Sequence, residues 1–166
     1  MKKTLLMALT LDGKIGESSD HFPDWTEKAD KQLFKSYTKE AAVFVIGRKT
    51  FDTMGRALPG RLNVVMTRTP KESKEKDLWF TDLSPKELIK DLEKKGFEEV
   101  VIAGGQIVNT LFIKENLIDE ILVTISPKLF GKGLSLFDET VALDLELLEV
   151  QPIGENTIQV RYKIVL

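Results

Sequence analysis

The stretch "VFVIGRKTFDTMGRALPGRLNVVMTR", Val43 to Arg68, decides how the chain is read. Two short apolar runs, Val43–Ile46 and Leu62–Met66, enclose a Gly-opened segment carrying three arginines and one lysine, and a fourth arginine, Arg68, follows the second run. The runs are nearly continuous and rich in β-branched residues, the pattern of strands buried on both faces in a mainly parallel sheet. Between them a short helical pattern runs from Lys49 to Met54, so the unit reads strand, helix, strand. Gly47 ends the first run where a helix starts. Unpaired backbone N–H groups and the positive end of a helix dipole favour an anion at such a place. In isolation, a solvated basic face or a Gly used only for tight packing explains the segment as well.

The same pattern extends outward. Further apolar runs occupy Leu5–Leu11, Val100–Ile102 and Ile121–Ile125, and helical patterns occupy Glu27–Lys39, Pro85–Lys95 behind the cap residue Ser84, and Gln106–Lys114. The end changes character: Ala142–Gln151 and Thr157–Leu166 read as two strands joined by a turn at Gly154-Glu155-Asn156. "TPKESKEKD", Thr69–Asp77, reads as a charged surface loop. The expectation is one α/β domain over residues 1–166, with a mainly parallel central sheet of about eight strands, a C-terminal antiparallel hairpin and about four flanking helices.

Composition narrows the chemistry. The 166 residues contain no cysteine, which fits a reducing, cytoplasmic setting and excludes disulfide and thiolate chemistry. A net charge of -2 with both signs interspersed argues against nucleic-acid binding by bulk basicity. No run approaches the roughly 20 apolar residues of a membrane span. The only histidine is His21, there is no GxSxG elbow, and neither a Walker motif nor GxGxxG follows any strand, so no metal site is expected. A second Gly turn, "VVIAGGQIV" at Gly104 and Gly105, gives the sheet two strand-to-helix turns able to grip phosphates. Arg48, Lys49 and Arg68 fall near the crevice at the ends of neighbouring strands, where cations suit a dianionic phosphate.

Taken together these residues resemble the dihydrofolate reductases and, more broadly, the fold they share with the riboflavin-pathway pyrimidine reductases. The resemblance runs almost end to end. It is carried by "LLMALTLDGKIG", the Trp25-to-Asp30 step followed by "KQLFK", "GRKTFDTMGRALPGRLNVVMTR", "IAGGQ" and "DEILVT". It implies that Asp30 is the carboxylate that hydrogen-bonds a substrate ring, backed by the Thr124 hydroxyl, with Trp25 beside them in the catalytic group. Phe34 packs against the substrate, Ala8 and Ile15 border the ring pocket with Ile15 on the cofactor side, and Met54 lines the next slot. Arg61 pairs with the carboxylate of a folate tail. Gly47, Arg48, Lys49, Thr50, Arg68, Gly104, Gly105 and Gln106 contact NADPH. Glu27, one helical turn before Asp30, and Asp24 are alternative acids, though first-turn acids more often sit exposed in the helix dipole.

The function expected from this resemblance is reduction of 7,8-dihydrofolate to tetrahydrofolate by NADPH, in a monomer or homodimer with a small-molecule folate substrate. The alternatives are reduction of a ribosyl-aminopyrimidine phosphate in riboflavin biosynthesis, or a non-catalytic nucleotide-binding module. Three departures stand out. Val108 replaces a tyrosine common beside the nicotinamide, Lys31 stands where an apolar residue is usual, and the loop "ESSDHFPD" is slightly long. "TLDGKIG" and "LIDEILVTISPKLFGKG" look more like the pyrimidine reductase branch.

Overall fold

The computed structural model describes residues 1–21 and 23–166. Its elements follow in the order β1 (Lys2–Thr10), β2 (Lys14–Gly16), α1 (Lys28–Ala41), β3 (Val43–Gly47), α2 (Arg48–Met54), β4 (Leu62–Met66), β5 (Leu78–Thr81), α3 (Pro85–Lys94), β6 (Glu99–Ile102), α4 (Gln106–Lys114), β7 (Glu120–Ser126), β8 (Leu134–Ser135), β9 (Asp144–Ile153) and β10 (Thr157–Val165). Eight strands form one sheet in the order β5-β4-β3-β6-β1-β7-β10-β9, and β2 pairs separately with β8. From β5 to β7 every pairing is parallel, whereas β10 runs antiparallel to both β7 and β9. The expected α/β architecture with its closing hairpin is therefore what the chain adopts.

The apolar runs make strands because both sheet faces are covered. On one face Leu6, Phe44, Ile46, Val65 and Leu122 pack with Phe34 and Tyr37 of α1 and Phe51 and Met54 of α2. On the other, Leu5, Val45, Val64 and Val123 pack with Leu88 and Leu92 of α3 and Val108 and Phe112 of α4. Alternate residues of each strand thus feed opposite layers, and most central positions are apolar, Asn63 of β4 and Thr124 of β7 being buried polar exceptions. Complete burial of one Leu or Phe contributes about 1.5–3 kcal/mol, so these two layers supply most of the driving force.

Helix boundaries have local causes. Ser84 accepts from the Glu87 backbone N–H while the Glu87 carboxylate accepts from Ser84, and Pro85 opens α3, so that terminus is closed by its own side chains. α1 stops at Ala42, which adopts the left-handed region at φ 63°. α2 and α4 differ from α3 at the start: Gly47 and Gly105 precede them and provide no side-chain cap. Their first-turn N–H groups are left to face whatever lies at the strand ends.

Candidate active site

The parallel strands bring Gly47, Gly104 and the ends of β1 and β7 to one edge of the sheet, the edge where crevices form in open α/β folds. β3 and β6 are neighbours, and their two Gly turns are tied directly, the Gly47 N–H donating to the Gly104 carbonyl at 2.8 Å. Gly104 has φ +98°, is joined to Gly105 by a cis peptide, and has Met7 so close that a Cβ would lie 3.1 Å from its Sδ and Cε. A Cβ on Gly47 would lie 3.1 Å from Val108 Cγ2, and one on Gly105 would lie 3.5 Å from Thr50 Oγ1. At these three positions the glycines leave backbone uncovered between Met7, Val108 and Thr50, next to two helix starts without a side-chain cap. That donor set fits a pyrophosphate. Val108, where the sequence departs from the usual tyrosine, is buried and fills the space beside Gly47.

The three cations are less uniform than the sequence reading has them. Arg48 is exposed and its Nε lies 3.4 Å from Asp52 on the next turn of α2. Lys49 reaches the loop after β2, donating to Ser19 Oγ at 3.4 Å. Arg68, exposed two residues beyond β4, has no ion pair among the described residues. Gln106 opens α4, and its carbonyl accepts from Thr110.

On the α1 side the expected carboxylate and its partner do meet. Thr124, fully buried in β7, donates its hydroxyl to Asp30 Oδ1 at 2.5 Å, and among the described residues Asp30 Oδ2 has no protein partner. Ala8 is the register neighbour of Thr124 on β1. Phe34, one turn after Asp30, stands edge-on to Phe44 at 5.8 Å. Lys31 turns away from the cleft, its Nζ bonding the carbonyl and hydroxyl of Thr26. Trp25 packs edge-on against Phe130 at 5.3 Å, with a buried indole N–H that has no hydrogen-bond partner among the described residues. Ile15 lies in the short β2 strand. Of the alternative acids, Glu27 is taken up structurally. Its carboxylate accepts from Thr157 Oγ1 at 2.5 Å and from the Asn156 N–H at 3.2 Å, and these bonds pull its pKa below the usual range, Thr157 contributing most. Asp24 is exposed, 3.7 Å from the imidazole of His21.

Arg61 commits part of its guanidinium to the protein. It is 4% exposed, and its Nη1 donates at 2.7 Å both to the Lys35 carbonyl and to Thr38 Oγ1, while its Nε donates to the Pro59 carbonyl at 3.2 Å. The guanidinium fastens the α2–β4 connection to α1, and burial lowers its pKa from the usual value. A feature that the sequence reading passes over lies at the other rim. Asp12 accepts from Thr10 Oγ1 at 2.6 Å and from the backbone N–H groups of Gly131 at 2.6 Å and Phe130 at 3.2 Å. It thereby clamps "TLDGKIG" to "SPKLFGKG", and Gly133 is pressed so close that a Cβ there would lie 2.4 Å from the Gly16 carbonyl. The only sequence signal for this clamp is an Asp directly before Gly13 in a turn, which is common in any loop.

The sequence matches the RibD C-terminal domain over residues 2–159. The chain belongs to that family. A solved structure of a Shewanella sp. PV-4 protein, named for riboflavin biosynthesis, superposes on this domain with TM-score 0.80, 25% identity and all of both chains covered. A Thermotoga maritima protein, titled a diaminohydroxyphosphoribosylaminopyrimidine deaminase/5-amino-6-(5-phosphoribosylamino)uracil reductase, shares the fold with TM-score 0.79 at 18% identity. It is covered over 56% of its own length and 99% of this chain. Dihydrofolate reductase type 15 of Escherichia coli is 33% identical over 129 residues, 77% of this chain and 78% of that relative. The RibD C-terminal domain and dihydrofolate reductases both use NADPH, and the two Gly turns described above fit that cofactor.

These findings correct the expected function. A folate reductase was the reading carried by the Trp25–Asp30 step and by LPGR, but the family match over nearly the whole chain and the riboflavin-pathway neighbours overturn it. The physical reason for the misreading is that the most specific motifs, the two Gly turns and their basic flanks, are cofactor features that both groups of reductases need. The segments that looked like the pyrimidine reductase branch are the two that Asp12 joins. The chain is a reductase-type enzyme domain, and among the described residues no helix is long and apolar enough to cross a membrane.

Proposed function

We propose that this domain reduces a ribosyl-aminopyrimidine phosphate, of the kind named for the Thermotoga maritima relative, with NADPH. The observation that carries the reading is the family match over residues 2–159. Beside it, the Nε and Nη1 donors of Arg61 are already bonded to Pro59, Lys35 and Thr38.

When bound, NADPH supplies a hydride, and the protein supplies placement. Gly47, Gly104, Gly105 and Gln106 hold the pyrophosphate against backbone N–H groups, and Arg68 is the cation most available to a further phosphate. Asp30, held at Oδ1 by Thr124, offers Oδ2 to the amino edge of the pyrimidine and fixes the substrate's orientation. Trp25 and Phe34 give the pocket apolar walls. Residues that hold donor and acceptor in a fixed mutual orientation would accelerate the transfer by proximity.

The test is consumption of NADPH by the purified chain with 5-amino-6-(5-phosphoribosylamino)uracil, with dihydrofolate as comparator. Turnover of the pyrimidine well above that of dihydrofolate supports the reading. Turnover of dihydrofolate alone, or NADPH binding with neither substrate reduced, refutes it.

A further inference from the structure

Two carboxylates at the start of α1 are anchored in the same way. Asp30 accepts from Thr124 Oγ1 on β7, and Glu27 accepts from Thr157 Oγ1 on β10, both at 2.5 Å. Residues three apart share a helix face, so both acids look onto the sheet. Thr124 pairs in register with Gln159, and Thr157 stands two residues before Gln159 on the same strand, which puts both threonines on the face that α1 covers. Both are buried. Asn156 brings two more donors to Glu27, its backbone N–H at 3.2 Å and its Nδ2 at 3.4 Å. Because β7 and β10 are neighbours, the two threonines stand about 8 Å apart, about 4.8 Å across the strands and about 6.7 Å along them.

The start of α1 has no cap of its own to fix it. α3 opens with a capping box, whereas Glu27, the N-cap of α1, makes no side-chain bond to its own helix. Lys31 grips Thr26, which ties the turn only to itself. A single bond between Asp30 and Thr124 holds one point and lets the helix swivel about it; a second bond about 8 Å away stops the swivel. Building on Asp30 as the substrate's anchor in the function proposed above, we propose that Glu27 is a positioning residue. Held by Thr157 and Asn156, it sets the rotation of α1 about the Asp30–Thr124 bond, and hence the direction in which Asp30 Oδ2 meets the amino edge of the substrate. Catalytic groups work only within about 0.5 Å and about 10–20° of their productive arrangement, so a loosened swivel reaches the reaction. The cofactor is insulated from it. Gly47 and Gly104 follow β3 and β6, which β7 and β1 separate from β10.

Steady-state kinetics and carboxyl-carbon NMR of the full chain test this. Thr157→Val keeps the charge of Glu27 and removes its shortest bond, whereas Glu27→Ala removes all three. In each, turnover of 5-amino-6-(5-phosphoribosylamino)uracil should fall about tenfold while NADPH affinity stays within about twofold, because small misplacements by a distant support cost rate on this order. Glu27→Gln still offers an acceptor oxygen and should stay within about threefold of the parent. In an Asp30→Asn background, Glu27→Ala should cost less than about twofold, since its effect passes through Asp30. The Asp30 carboxyl-carbon resonance, assigned by its disappearance in Asp30→Asn, should move in Thr157→Val and stay near the parent position in Glu27→Gln. That resonance needs no substrate. A parent that leaves the pyrimidine unreduced therefore refutes the proposed function, while the resonance still decides the positioning role. An unmoved resonance in Thr157→Val overturns that role whatever the substrate. So does a loss in Glu27→Ala that persists undiminished in the Asp30→Asn background, or one matched by an equal loss of NADPH affinity. Thr157→Val and Glu27→Ala reach the same contact from opposite sides, so if one fails to fold the other decides.

Discussion

Replacing Arg61 with Ala separates a buried brace from a ligand-facing cation. Its two Nη1 bonds, each 2.7 Å, go to a backbone carbonyl and to a threonine hydroxyl of α1, and the third bond at 3.2 Å stays within its own turn. Hydrogen bonds from a charged donor contribute about 1.5–3 kcal/mol each, so the two short ones represent roughly 3–6 kcal/mol. Removing a buried charge also removes its desolvation cost, which brings the net loss to about 3 kcal/mol. For a domain of this size that corresponds to a fall in Tm of about 6–12 °C. Urea unfolding followed by circular dichroism measures the loss, with steady-state kinetics on the folded fraction beside it. KM for the pyrimidine should change less than about threefold. Arg61→Lys should recover only part of the stability, since one ammonium cannot serve the same fork of acceptors. A variant that loses under about 1 kcal/mol while KM rises tenfold would show that Arg61 faces the substrate, and the reasoning would fail.

Two further outcomes follow from the site. Asp30→Asn should lower turnover by about 10² while leaving NADPH affinity, read by fluorescence titration, within about twofold; equal turnover would move the anchoring role elsewhere. Asp12 has its pKa lowered to about 2, chiefly by the Thr10 hydroxyl and then by the Gly131 and Phe130 amides. A depressed carboxylate stabilises above its unfolded value of 3.8 and loses that contribution as pH falls towards 2. Amide-exchange protection at Phe130 and Gly131 should therefore be constant near neutrality and decline only below about pH 4, and Asp12→Ala should remove it at all pH values; protection unaltered by the substitution would show that the clamp does not hold the loop.

Where the sequence was legible, the reason is periodicity. Val43–Ile46 is apolar at every position and Leu62–Met66 at every position but Asn63 because both faces are covered, and the runs come out as β3 and β4 with at most one residue added. Ser84 and Pro85 mark the start of α3 because the cap is made locally. β5, β2 and β8 escaped the reading: Leu78–Thr81 is four residues long, and the other two are strands only through their pairing with each other. The Asp30–Thr124 contact was legible only through family resemblance, since 94 residues separate the partners. Arg61 shows the limit most clearly. An arginine after Pro-Gly reads as a surface charge or a ligand-binding one, and nothing local reveals that Lys35 and Thr38 of a distant helix take up its donors.

The tie between Glu27 and the β9–β10 turn bears on how this domain can be altered by engineering. A hairpin tip such as Gly154–Asn156 is an ordinary choice for inserting a tag or opening a new terminus, because exposed loop tips usually tolerate extra residues. Here the tip is part of the start of α1: Glu27 accepts from Asn156 and Thr157, and a Cβ on Gly154 would lie 3.0 Å from that of Ala29. Asp30 follows three residues after Glu27, its own N–H bonded to the Glu27 carbonyl at 3.1 Å. Lengthening the tip would move that acid against Thr124.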